Sequence, residues 1–171
     1  PEGLLDSYFT ERYPIGEKVL DWSRAQVALM KPDPSTRALY SIFRDMLNTR
    51  DSATYVAGRL WGIFTQYDLG GGHPLIGHSV PNFEFEDGKT VGELMYDGKA
   101  LLIDFDDTHV SLKNLVKKSS GQIKYVSGRA KEQLGLSALL MRPDGIVAWA
   151  SEGIPDDNEW QRAARLFLLV Q

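Results

Sequence analysis

The sequence predicts an α/β fold in which a helical segment precedes a domain built on a central mixed sheet with flanking helices. Apolar residues recur at helical spacing up to about residue 68 and in short strand-like runs after it. The run Gly70-Gly71-Gly72-His73-Pro74 separates the two regimes. The second regime then reads strand, helix, strand, hairpin and helix, so the expected division is 1–68 and 69–171.

The first element is a helix carrying Leu4, Leu5, Tyr8 and Phe9, which Pro14 is expected to break or kink before Ile15, Val19 and Trp22 resume the period. Lys31-Pro32-Asp33-Pro34-Ser35 cannot continue a helix, because each proline removes a donor and restricts its predecessor, so a turn is expected there. From Ser35 the stripe Leu39, Ile42, Phe43, Met46 and Leu47 marks a one-faced helix. Val56, Ala57, Leu60, Ile63 and Phe64 mark another. Three or four helices are therefore expected in the first part.

In the second part, Phe83 and Phe85 followed by Asp87-Gly88 predict a short strand closing in a turn. Thr90 and Glu93 have the spacing of a capping box ahead of Leu94, Met95 and Tyr96. Ala100 to Phe105 is apolar apart from Asp104, the pattern of a strand buried on both faces. Leu112, Leu115 and Val116 give a helix stopped at Gly121, and Ile123 to Val126 a second strand, which together imply a right-handed parallel crossover. Ala138 to Met141 and Ile146 to Trp149 flank Arg142-Pro143-Asp144-Gly145, in which proline presets φ and glycine accepts positive φ, so these strands form an antiparallel hairpin. Trp160, Ala163, Ala164, Phe167 and Leu168 form a last helical stripe behind the cap candidates Asp156, Asp157 and Asn158. The order β-α-β-(short α)-β-β-α is that of a thioredoxin-like domain.

Composition narrows the chemistry. The 171 residues carry 19 Lys+Arg against 23 Asp+Glu, a net charge of −4, which gives no footprint for nucleic acid or an anionic membrane. With Cys 0 there is no disulfide, no thiolate nucleophile and no Cys-based zinc site. Asp106-Asp107-Thr108-His109 stands where a thioredoxin-like domain keeps its Cys-x-x-Cys pair, and Leu136-Ser137 where it keeps a cis-proline, so dithiol activity is excluded. No wholly apolar run is longer than Leu166 to Val170, far short of a membrane span of roughly 20 residues. No signal peptide is visible, and a cytoplasmic location is the default expectation.

Three blocks carry a resemblance: LLDSYFTERYPIGEKVL at the start, HPLIGHSVPNFEFEDGKTVGELMYDGKALLIDF in the middle and LLMRPDGIVAWAS late in the chain. In order and spacing they resemble the carboxy-terminal part of the FAD-dependent aromatic-ring hydroxylases of the polyketide, anthracycline and rifampicin type. The chain departs from that pattern at His78, where the family more often has arginine, and after Trp160, where the usual aromatic-glycine close is missing. The resemblance implies a parent oxidoreductase, a monooxygenase that uses FAD and NAD(P)H on polycyclic aromatic or polyketide substrates. It also implies that this chain is the non-catalytic structural or oligomerisation part at the carboxy terminus, with the flavin/substrate domain of the same enzyme or a second copy of the chain as partner; the alternative is a free-standing thioredoxin-like interaction module without redox activity.

Several constellations are weighed beside that reading. Gly70 and Gly72 begin a Gly-x-Gly-x-x-Gly pattern, but Leu75 replaces the third glycine and a helix precedes them, so the FAD fingerprint fails and no cofactor-binding residue is assigned. Asp87-Gly88, Asp97-Gly98 and Asp144-Gly145 are explained by turn chemistry. Asp104 and Asp106, in an apolar strand running into Asp-x-Asp-x-Thr, fit a Mg²⁺-dependent haloacid-dehalogenase-like phosphatase, with Ser127 and Lys131 on the phosphate. The plainer reading is solvation of a strand end, with Asp106 or Asp107 capping the next helix. His73, His78 and His109 lack metalloprotease spacing, and His73 before Pro74 is expected to make a local structural bond, so no metal ligand is assigned. Arg12 in Glu11-Arg12-Tyr13-Pro14 is expected in a helix-end ion pair, and no catalytic residue is assigned. Trp22, Trp61, Phe64, Trp149 and Trp160 are packing residues. The helices of 1–68 are expected to leave an apolar face that self-associates or packs on the second part.

Overall fold

The computed structural model describes residues 4–117, 119 and 121–167, and within the helices the side chains of Leu4 and Leu115 lie outside the description. The chain divides into a helical unit, Leu5–Thr65, and a sheet unit that runs from Gln66.

The helical unit contains α1 (Leu4–Leu29), α2 (Pro34–Leu47) and α3 (Arg50–Leu60). α1 runs through Pro14 as one 26-residue helix, so the expected break does not occur. Proline fixes φ near the helical value, and what it removes is a single ladder bond. Glu11 to Tyr13 consequently lie inside α1 and not at a helix end. The proline-rich turn ends in a cap: the Asp33 carboxylate accepts from the Thr36 backbone N–H at 2.9 Å, and Pro34 takes the first helical position. α3 stops at Gly62, whose φ of +76° needs glycine, so Ile63 and Phe64 fall in the following turn and not on the helix. Phe64 folds back over Gly58 and meets Tyr55 at 6.3 Å between ring centres, and Tyr55 meets Trp22 at the same distance. Among the described residues no large apolar side chain of this unit is buried, and Leu5, Phe9, Leu20, Leu39 and Ile42 are exposed.

The sheet unit contains α4 (Val91–Leu94), β1 (Ala100–Asp104), α5 (Val110–Lys117), β2 (Ile123–Ser127), β3 (Ala138–Met141), β4 (Val147–Ser151) and α6 (Asp157–Arg165). The sheet order is β2-β1-β3-β4, with β1 and β2 parallel and the β1–β3 and β3–β4 pairs antiparallel. This is the thioredoxin-like mixed sheet with flanking helices that the element order predicts. Leu101, Ile103, Leu139, Met141 and Val147 pack on one face with Phe83, Phe85 and Phe105. Leu102, Leu140 and Trp149 pack on the other with Leu112 and Trp160. Burial of both faces is why β3 reads as an unbroken apolar run, and β1 as one up to Asp104. Leu168 of the last helical stripe lies outside the described residues.

Two local expectations are corrected. No helix joins β2 to β3: residues 128–137 form turns and loop, because their backbone bonds cross to another segment. Glu86 N–H donates to Arg129 O at 3.1 Å and Lys131 N–H to Glu84 O at 2.9 Å, so the groups a helix ladder needs are already used. For the same reason Phe83 and Phe85 form no extended strand, and only isolated bridges, Glu84 to Thr90 and Phe85 to Ala130, are present. The capping box forms as expected: Thr90 N–H donates to Glu93 Oε2 at 2.8 Å, and Glu93 N–H to the Thr90 hydroxyl at 3.4 Å. Gly77 is wedged beneath β4. Its N–H donates to Val147 O at 2.9 Å, its carbonyl accepts from Tyr67 N–H at 3.0 Å, and its φ is +84°. Among the described residues no helix is long and apolar enough to cross a membrane.

Candidate functional site

The carboxyl end of β1 holds the one fully buried ionisable side chain among the described residues, Asp104. The apolar run of β1 carries it into the core, and the parallel register places Ser127 beside it and Tyr125 two residues earlier on β2. Its Oδ1 lies 2.8 Å from His109 Nδ1. Its Oδ2 accepts from the His109 backbone N–H at 3.0 Å and from the Tyr125 hydroxyl at 2.8 Å. His109 immediately precedes α5, so one carboxylate fixes the start of α5 and closes loop 105–109. On the next turn of α5, the Lys113 ammonium lies 5.8 Å from the centre of the Tyr125 ring.

The electrostatics follow from these contacts. Burial, the largest single influence, pushes the Asp104 carboxyl upward. The bonds from the His109 ring, the Tyr125 hydroxyl and the His109 backbone together outweigh it, and hold Asp104 below the ordinary carboxylate range. The Tyr125 hydroxyl is pushed well above its ordinary value, first by burial and then by its bond and proximity to the Asp104 anion. The site is thus a carboxylate kept ionised in the core by three donors, a structural clasp for α5 and its preceding loop.

That geometry removes the phosphatase reading. An attacking carboxylate needs an oxygen open to a phosphoester, and both oxygens of Asp104 are occupied beneath the surface. β3 and β4 run antiparallel where that fold continues with parallel strands. Asp106 is exposed, Ser127 ends β2, and Lys131 is held by Glu84 at 2.5 Å. The backbone N–H just before α5, that of His109, is taken by Asp104 and not by Asp106 or Asp107. His73 accepts from Leu75 N–H at Nδ1, 3.2 Å, and faces Glu152 through Nε2 at 3.4 Å, the local bond expected of it. His78 contributes its backbone to Val147, and His109 belongs to Asp104. Among the described residues no three His, Cys, Asp or Glu side chains converge as metal ligands.

FAD does not fit the glycine run. Gly70–Gly72 lie in irregular chain that leads into a turn, so the strand before and the helix after that a pyrophosphate cradle needs are not there. The clefts of the sheet unit include one of about 470 Å³ between the 85–89 turn and the end of β2. Another, of about 400 Å³, lies between the glycine run, β4 and α6. Tyr125 is the residue of this site that sequence reading missed, and its only signal is a phenol hydroxyl in a strand parallel to one that ends in a buried acid.

Comparison with known proteins gives a consistent result. The profile of a family described as "Aromatic-ring hydroxylase, C-terminal" matches residues 73–168. A monooxygenase of Claviceps purpurea is 39% identical over 98% of this chain and 33% of its own length. The rifampicin monooxygenase of Streptomyces venezuelae is 32% identical over 89% of this chain and 30% of its own length. The solved structure of the OxyS anhydrotetracycline hydroxylase from Streptomyces rimosus superposes with a TM-score of 0.91 at 28% identity, over 98% of this chain and 36% of that one. The chain therefore spans about a third of the length of the curated relatives it matches.

Proposed function

Because this chain belongs to the aromatic-ring hydroxylase C-terminal family, we propose that it is the non-catalytic terminal part of an FAD- and NAD(P)H-dependent monooxygenase. The enzyme inserts one oxygen atom of O₂ into a polycyclic aromatic or polyketide substrate in the cytoplasm. Residues 1–68 continue from its flavin/substrate domain, and residues 69–171 form a cysteine-free module that stabilises the assembly. The observation that carries this reading is a family match made by a chain only a third as long as its relatives. The exposed apolar side chains of α1 and α2 support it, since a larger enzyme would cover them. The flavin chemistry belongs to a cofactor for which these residues offer no cradle.

The test is an absorbance spectrum. The chain purified alone after incubation with FAD is expected to show no visible flavin bands, and the full-length polypeptide to retain them. Stoichiometric flavin on the isolated chain overturns the reading.

A further inference from the structure

Among the described residues two that are not glycine hold left-handed backbone, Asp107 at φ +53° and Leu134 at φ +54°. A leucine seldom adopts that conformation, and such outliers gather where a surface is shaped for use. Both lie at the same end of the sheet. β1 and β2 are parallel and β3 is antiparallel to β1 and β4, so loops 105–109, 128–137 and 152–156 emerge side by side. They are also tied together. Gln133 Nε2 donates to Phe105 O at 3.3 Å, and the Ser137 hydroxyl bonds to the carbonyls of Ser151 and Gly153. The Asp104 clasp anchors the first loop from below.

This braced end presents apolar side chains to water: Val110 is 68% exposed, Leu134 57% and Ile154 94%. Asp106, Asp107, Glu132, Glu152 and Asp156 are exposed on or next to the same loops, with Glu152 facing His73 and Asp156 capping α6. Among the described residues of loops 105–109, 128–137 and 152–156 the Lys and Arg side chains are Arg129 and Lys131, and Lys131 is bound to Glu84. A loop end that mixes exposed apolar and acidic side chains selects a partner surface of apolar and basic ones. A second copy of the chain fits poorly, because a two-fold contact through this face sets carboxylates against carboxylates.

We propose that this end of the sheet unit is an interaction surface, and that its occupant is a surface of apolar and basic side chains on the flavin/substrate part of the same polypeptide. The proposal rests on the function argued above, since relatives about three times as long supply that part.

Hydrogen exchange on the isolated chain and on the flavin-loaded full-length polypeptide tests it. Amides of 105–110, 131–136 and 152–156 are expected to exchange about fivefold or more slowly in the full-length protein. Ile154→Asp in the full-length protein should remove that protection, with FAD content and the melting of the isolated chain unchanged. Equal exchange in both proteins while the full-length one holds FAD overturns the proposal and leaves the functional reading standing. A full-length protein that protects these loops without binding FAD refutes the functional reading and not the contact. Protection that rises with concentration of the isolated chain assigns the face to self-association and also overturns it.

Discussion

Replacing Asp104 should separate the two ways in which a buried carboxylate supports a fold. In Asp104→Asn the oxygen that serves His109 N–H and Tyr125 keeps its place, and the new amide meets His109 Nδ1, which accepts once the ring takes its other tautomer. Charge-assisted bonds become neutral ones, a loss of about 1–3 kcal/mol. Asp104→Ala strands the three donors in a dry site and opens a small void, for an expected loss of about 4 kcal/mol. Urea unfolding followed by tryptophan emission measures both, since Trp149 and Trp160 are buried in the same unit. The pH dependence adds a second check. The folded Asp104 titrates below its ordinary 3.8, so its contribution is complete above that value and is lost as pH falls below it toward the folded value. The gap between parent and Asp104→Asn should therefore close below about pH 4 and stay constant above about pH 5. Equal losses for Asn and Ala, or losses under about 0.5 kcal/mol for both, would refute the clasp.

Other substitutions probe the packing. An added Cβ at Gly77 meets Tyr67 O at 1.9 Å on backbone with φ +84°, so Gly77→Ala should cost about 3 kcal/mol or more and lower the thermal midpoint of the sheet unit. At Gly58 the same atom meets the Phe64 ring at 2.3 Å, but that ring lies at the surface and can swing aside. Gly58→Ala should cost far less than Gly77→Ala and break the Tyr55–Phe64 contact, which near-ultraviolet dichroism reads. Trp160 is buried, and its indole N–H has no partner among the described residues, so Trp160→Phe forfeits no hydrogen bond. Its loss should stay under about 1.5 kcal/mol, whereas Trp160→Ala should lose about 3–5 kcal/mol by calorimetry.

Local chemistry was legible before the structure. The Thr90–Glu93 box, the Pro-Asp-Gly turn and the apolar runs of β1 and β3 each arise from a few adjacent residues. What escaped depended on partners far along the chain. Residues 129–131 form no helix because they bond to Glu84 and Glu86, more than forty positions away. Asp104 reads as a nucleophile or a solvated strand end until the β1–β2 register brings Tyr125 to it. Pro14 does not break the chain, for the opposite reason: its local penalty is real, but one missing donor does not outweigh the rest of a 26-residue helix.

The strap around Gly77 also bears on where this module can be cut from a longer polypeptide. β4 is an outer strand of the sheet, and Gly77 to Val80 lie along its beginning with bonds to Gly145 and Val147 and a bridge from Ser79 to Ile146. Tyr67 and the Gln66 side chain hold that strap from the other side. A boundary placed at residue 73, where the family match begins, severs both anchors. The strap is then held by its bonds to β4 alone, and each time it frays the outer strand offers unpaired amides and carbonyls to neighbouring molecules, a template for aggregation. An excised module that keeps both anchors has to include Gln66.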